Sequence, residues 1–330
     1  MSSSISSSRG ELKVLVAVAC LVGAGEIAAR VLAPKLDYDR LHIQQFPRLA
    51  SRLAAARPPR ILFLGNSLTL HGVDAAIVKD ELARAGFARA AVERVVPVGT
   101  DIVDWHYLFK TYFVEPGKVP DVVVVGFVRH HVIDKPPKEI ERLACHFVSP
   151  RNIPELFGRD LPAFGDRVQI LLSYGLNLMG NQSPMQSRIL DAVIPEYQTG
   201  SRWVAHRLEA RGEAQALRAN GGHESPPTFD RLGRFASAIK AAGSHAIFVP
   251  MPLPDVWKLE PDAARTVRGT GMTWLDGRQI PGLTSEDWYD GYHLSQAGAD
   301  IYSRFIAQAL ARRLGETRTA AERTPPGQAH

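Results

Sequence analysis

From Arg60 onward the sequence alternates short, fully apolar runs with longer amphipathic ones, and no other feature of the chain restricts its fold as much. ILFLG, starting at Ile61, is apolar throughout. VDAAIVKDELARAG follows, with apolar positions at helical spacing and Gly86 as a stop. AVERVVPV and VPDVVVVGFV read as two further strands, the second β-branched and too apolar for a sheet edge. The helix FDRLGRFASAIKAAG precedes a fourth strand, SHAIFVPMP, and GMTWLDG is a weaker fifth. LSQAGADIYSRFIAQALARRLG is a long amphipathic helix that closes the domain. Strands separated by helices of this length predict an α/β fold with a parallel sheet covered on both faces.

Between Ile133 and about Pro227 the alternation stops. The insertion at 133–227 carries helical stretches (RVQILLSYGLNLMG, SPMQSRILDAVI, SRWVAHRLEARGEAQALRA) and no convincing strand, so it is expected to be a helical subdomain or lid. The tail at 316–330 lacks apolar content and is expected to be disordered. The organisation predicted is a terminal segment at 1–40, an α/β domain at 41–315 holding the insertion, and the tail.

The first forty residues differ from the rest. A Ser-rich start with Arg9 and Lys13 leads into VLVAVACLVGAG, from Val14 to Gly25, and then EIAARVLAP. Continued to Leu32, with Glu26 and Arg30 near the far interface, this stretch reads as an uncleaved signal anchor in the membrane rather than a cleaved signal peptide. Charge gives it no orientation, since Arg9 and Lys13 before it are balanced by Arg30, Lys35 and Arg40 after it. A lipoprotein reading through Cys20 fails because the apolar stretch continues past the cysteine. Gly23, Gly25 and Ala28 spell a G-x-G-x-x-A pattern, but the polar, aperiodic LDYDRLHIQQF that follows supplies no second strand for a dinucleotide site.

Composition excludes several functions. A formal charge of +5 is spread without long blocks of one sign, which points to a solvated surface and no nucleic-acid partner. With only Cys20 and Cys145, neither a disulfide framework nor a thiolate metal site can be built. His130 and His131 are neighbours that would point apart on extended chain, so no shared metal is expected, and no cofactor is implied.

Two short stretches carry chemistry. Ser67 lies just past the first strand, where ligands bind in open parallel sheets, and the following helix would offer free N–H groups to a developing oxyanion. Serine there is also a common cap. Asp290 and His293, in WYDGYHLSQAGADIYS, stand three residues apart in a turn, so a carboxylate could fix the imidazole that takes a serine proton. An Asx turn with a capping histidine is the plain alternative.

Together the stretches resemble the SGNH (GDSL) hydrolase superfamily. Gly65-Asn66-Ser67 matches its G-D-S or G-N-S element, and Asp290-Gly291-Tyr292-His293 its D-x-x-H element before the last helix. The resemblance covers residues 60–130 and 228–315. It implies a three-layer, flavodoxin-like fold, Ser67 as nucleophile, His293 as base, Asp290 as its orienter, and an oxyanion hole from the N–H groups of Ser67 and Gly99. The family's asparagine after the third strand is missing, and Arg129 stands in its place as a candidate donor. His71 is expected to line the cleft. The implied activity is hydrolysis or transfer of ester-linked acyl groups, with an acyl-ester or carbohydrate substrate outside the cytoplasm. Trp203, Tyr174 and Tyr197 in the insertion are residue types that stack on sugars or fill a core. The rival reading is a non-catalytic carbohydrate-binding or assembly protein on a degenerate scaffold.

Overall fold

The computed structural model describes residues 5–36, 38–175 and 226–323. These divide between two compact units, one drawn from Met1–Gln44 and Pro137–His206, the other from Gln45–Pro136 and Arg207–His330.

In the first unit the expected anchor segment is helical, as α1 (Ile5–Leu36). It does not meet the expectation of a membrane span: among the described residues no helix is long and apolar enough to cross a membrane. The uninterrupted apolar run from Val14 to Gly25 rises about 18 Å as helix, against a hydrocarbon core of about 30 Å. Leu12, Val14, Leu15, Val16, Val18, Leu21 and Ile27 are all exposed. Helix α2 (Tyr38–Ala55) begins in the same unit. Of the inserted segment, the described part holds short helices such as Ile153–Arg159 and Phe164–Gly175. Trp203, Tyr197 and the two later helical stretches of the insertion lie outside the described residues, and Tyr174 is partly exposed.

A buried polar cluster sits in this unit. Arg142 pairs with Asp39, and its guanidinium lies over the Phe147 ring. His146 is hydrogen-bonded with Arg40, and burial, with the charges of Arg40 and Arg142, pushes its pKa down from 6.5 to about 3. The folded chain therefore keeps this imidazole neutral while the unfolded chain takes up a proton below the usual histidine pKa. Stability is expected to rise with pH across the window between those two values. Thermal melts between about pH 4 and pH 7 check this, and His146→Phe should flatten the slope.

The second unit is the predicted α/β layer structure. Strands β1 (Arg60–Leu64), β2 (Ala91–Val95), β3 (Val122–Phe127), β4 (His245–Pro250) and β5 (Thr273–Trp274) form one sheet in the order β2-β1-β3-β4-β5. Every pairing is parallel. All six residues of β3 are buried, as its composition demands of a central strand. The register sets Leu64 beside Val95 on one side and Val125 on the other.

The described helices of this unit include α3 (Ser67–Gly72), α4 (Ala75–Arg84), α5 (Ile102–Phe109), α6 (Arg129–Val132), α7 (Asp230–Ala241), α8 (Pro261–Gly269) and α9 (Gln296–Arg323). Helix α4 packs with α9, and α7 packs with α5, α8 and β4. The chain steps from β1 to β2 in one direction and from β2 through β5 in the other. Right-handed crossovers then place α4 on one face, where α9 joins it, and α5, α7 and α8 on the other. Asp74 caps α4 by accepting from the N–H groups of Ala76 and Ile77 (2.8 and 3.2 Å).

The terminal helix corrects one expectation. It continues past Gly315 to Arg323, with Arg313 bonded to Glu316 at 3.2 Å and the Thr319 hydroxyl to the Gly315 carbonyl at 3.0 Å. Charged and small residues without apolar content still propagate a helix already nucleated by its packed first turns. The stretch 324–330 lies outside the described residues.

Candidate active site

The strand order reverses at β1, with β2 on one side and β3 on the other, which opens a crevice at the carboxyl end of β1. Gly65 is the first residue there. A Cβ on it would sit 2.1 Å from Thr69 Oγ1 and 3.0 Å from the Gly126 carbonyl, so only glycine lets β1 turn into α3 at this spacing. Asn66 is the N-cap: its side-chain oxygen accepts from the Leu68 N–H at 3.1 Å, and its amide donates to the Thr100 carbonyl at 3.1 Å. The His131 ring lies 2.9 Å from the same amide nitrogen. With its cap supplied by Asn66, α3 makes no demand on the Ser67 hydroxyl. Helix α3 is only six residues long, so the dipole expected to favour an oxyanion is slight, and what it offers is the N–H of its first turn.

Ser67 Oγ lies 2.9 Å from His293 Nε2. His293 Nδ1 lies 2.7 Å from Asp290 Oδ2. Because the Nδ1 proton goes to the carboxylate, Nε2 of the neutral ring is the acceptor that faces the serine hydroxyl. Sequence also allowed an Asx turn here, and it exists: Asp290 Oδ1 accepts from the N–H groups of Tyr292 and His293 at 3.0 and 2.7 Å. The turn and the pairing with the imidazole use different oxygens of one carboxylate. Burial disfavours the charged form of Asp290, but the N–H of His293, its ring and the N–H of Tyr292 outweigh that and hold the carboxyl below the usual aspartate range.

The loop that carries the pair is closed by local structure. Gly291 takes the left-handed turn at φ +79°, Trp288 and Leu294 form an antiparallel bridge, and the Tyr289 N–H donates to the His293 carbonyl at 3.1 Å. Gly298 lets α9 approach from behind, since a Cβ there would lie 2.6 Å from the Asp287 carbonyl. His293 is buried, with Ser67 intermediate in exposure.

No protein-family model and no curated protein matches this sequence. Solved structures do align with it. A lipase/acylhydrolase from Enterococcus faecalis aligns at 13% identity and TM-score 0.37, covering 82% of this chain and 99% of that one. A catalytic mutant of an acetylxylan esterase from Geobacillus stearothermophilus aligns at 12% identity and TM-score 0.37, covering 76% and 92%. LAE5, an alpha/beta hydrolase enzyme from the metagenome of Lake Arreo, aligns at 13% identity and TM-score 0.34, covering 78% and 97%.

Gly99 follows β2 in the positive-φ conformation, at φ +70°. Its neighbour Thr100 lies against the serine turn: Thr100 Oγ1 is 3.3 Å from the Gly65 carbonyl, and the Thr100 carbonyl holds Asn66. Arg129 opens α6, two residues past the end of β3, on the same sheet edge. It is not a free surface arginine. Its Nη2 bonds Glu260 Oε1 at 2.8 Å, and its Nε is buried with no hydrogen-bond partner among the described residues.

His71 stands on α3 one turn beyond Ser67, with its ring 5.0 Å from that of His293. His130 and His131 correct the extended-chain expectation. They lie within α6, with ring centroids 4.0 Å apart, because the chain turns into a helix directly after Val128. His131 Nδ1 accepts from the Val128 N–H at 3.1 Å. Among the described residues no group of His, Cys, Asp or Glu is placed to hold a metal ion. Sequence reading missed Glu260, the Asn66–His131 contact and Tyr289. Only Tyr289, an aromatic residue beside the D-x-x-H element, left a signal that could have been followed.

Proposed function

We propose that this chain is a serine-dependent acyl-ester enzyme of SGNH type. The observation that carries the proposal is the unbroken hydrogen-bond chain from Ser67 through His293 to Asp290, at 2.9 and 2.7 Å, ending on a serine whose hydroxyl is not used as a cap. Ser67 Oγ attacks the ester carbonyl carbon as its proton passes to His293 Nε2. The imidazolium formed is stabilised by Asp290. The tetrahedral intermediate collapses, the carbon–oxygen bond to the alcohol breaks, and Nε2 returns the proton to the leaving oxygen. An acyl-Ser67 ester remains. His293 then deprotonates water, which releases acid, or a second alcohol, which gives transfer.

The oxyanion is held by the N–H groups of Ser67 and Gly99 and by Arg129. An arginine in place of the usual neutral amide needs charge balance, which Glu260 provides. Arg129→Ala is expected to lower kcat about 10²-fold with a much smaller change in KM, because the interaction strengthens only in the transition state. Steady-state kinetics on a short acetate ester check this.

A sugar hydroxyl bearing an acetyl group is the substrate class that the family resemblance favours, with transfer when an oligosaccharide acceptor is present. Acyl donor consumed should then exceed acid released, with the difference recovered as acylated sugar. The whole reading is tested by incubating the protein with a chromogenic short-chain ester and a fluorophosphonate. Turnover, with labelling at Ser67 that is lost in His293→Ala, is the expected result. A folded protein that neither turns over nor labels would favour the non-catalytic binder, whose motive is the missing asparagine.

A further inference from the structure

Two rings beside the catalytic histidine have no part in the steps above. The Tyr289 ring lies nearly parallel to the His293 imidazole, at an interplanar angle of 17° and a centroid distance of 5.8 Å. The His71 ring is 5.6 Å from Tyr289. Tyr289 is 56% exposed and His71 is exposed, so neither serves only to fill the core around His293. Burial and the charge of Asp290 push the Tyr289 phenol upward, and the ring stays uncharged. The hairpin closed by the Trp288–Leu294 bridge holds Tyr289 in place, so little order must be gained when something lies on it.

The reaction chemistry decides which half of an ester meets these rings. Nε2 of His293 must reach the leaving oxygen to protonate it, so the alcohol half lies on the histidine side, while the acyl carbonyl points toward the N–H donors. We propose that Tyr289 and His71 form an alcohol-side subsite that selects a pyranose ring, with a C–H face of the sugar stacked on Tyr289 and a hydroxyl within reach of His71. This rests on the ester reading above. An alcohol with an apolar face and polar edges suits an aromatic ring next to a hydrogen-bonding one. A long aliphatic alcohol would need a continuous apolar track. Among the described residues of this unit, the only other exposed large apolar side chains are Val98 and Val256.

The test compares two acetate esters with the same acyl group: a mono-O-acetylated methyl xyloside and ethyl acetate. Tyr289→Ala is expected to lower kcat/KM on the sugar ester at least about tenfold more than on ethyl acetate, chiefly through KM, and Tyr289→Trp should restore the sugar preference. Equal losses on the two esters, or failure of Tyr289→Trp to restore the preference, would overturn the subsite and leave the ester reading standing. Wild-type protein inactive on both esters would overturn the ester reading itself, and the subsite with it.

Discussion

Alanine at Ser67 is expected to lower kcat on a short acetate ester by about 10⁴- to 10⁶-fold, and alanine at His293 by a similar factor. The two losses should not add. In the proposed mechanism Ser67 has one base, His293 Nε2 at 2.9 Å, and without the serine that base has no proton to take. The double variant is therefore expected to retain about the activity of the worse single variant, the remainder coming from substrate binding and the oxyanion donors. Neither change should unfold the protein: Ser67 is not the helix cap, and the loop around His293 is held by main-chain bonds at Tyr289, Ser295 and Ala299. Circular dichroism and a melting curve on each variant separate loss of chemistry from loss of fold.

Asparagine at Asp290 is expected to cost about 10³- to 10⁴-fold in kcat, although it keeps the size and much of the turn. The reason is a proton. The Asx turn uses Oδ1, which asparagine can still supply, so the N–H groups of Tyr292 and His293 keep their acceptor. The other position, Oδ2 in the wild type, becomes an amide donor facing Nδ1. The imidazole must then accept at Nδ1 and carry its proton on Nε2, which leaves Ser67 facing a donor. Asp290→Ala should lose the turn as well and melt earlier, whereas Asp290→Asn should melt near the wild type. Kinetics and melting measured on both variants distinguish a tautomer role from a purely structural one.

The sheet was legible because β1 and β3 to β4 are buried on both faces and carry the continuous apolar runs such strands require. Helix α5 escaped notice for the same reason in another form. All eight residues of IVDWHYLF are buried, so it shows no polar face and no helical period. The site was half legible. Gly65-Asn66-Ser67 and Asp290 with His293 stand out as local patterns, but whether Ser67 caps a helix depends on which neighbour does so, and local spacing does not decide between Asn66 and Ser67. The contact of Asn66 with His131 joins residues 65 positions apart, and that of Arg129 with Glu260 joins two separate βα loops. Neither has a spacing to read. The apolar run of α1 shows the converse hazard: the uninterrupted stretch ends at Gly25, and the continuation to Leu32 that a span would need carries Glu26 and Arg30.

The central claim is that the acyl group passes through Ser67, and the most direct measurement is to trap it. Protein mixed with excess acetate ester and quenched in acid within the first turnovers should gain the mass of one acetyl group, mapped by peptide sequencing to Ser67, with a burst of alcohol matching the enzyme concentration when deacylation is slow. Ser67→Ala should show no such adduct. An acetyl group found reproducibly on another side chain in the wild type, or ester turnover undiminished in a folded Ser67→Ala protein, would contradict the account.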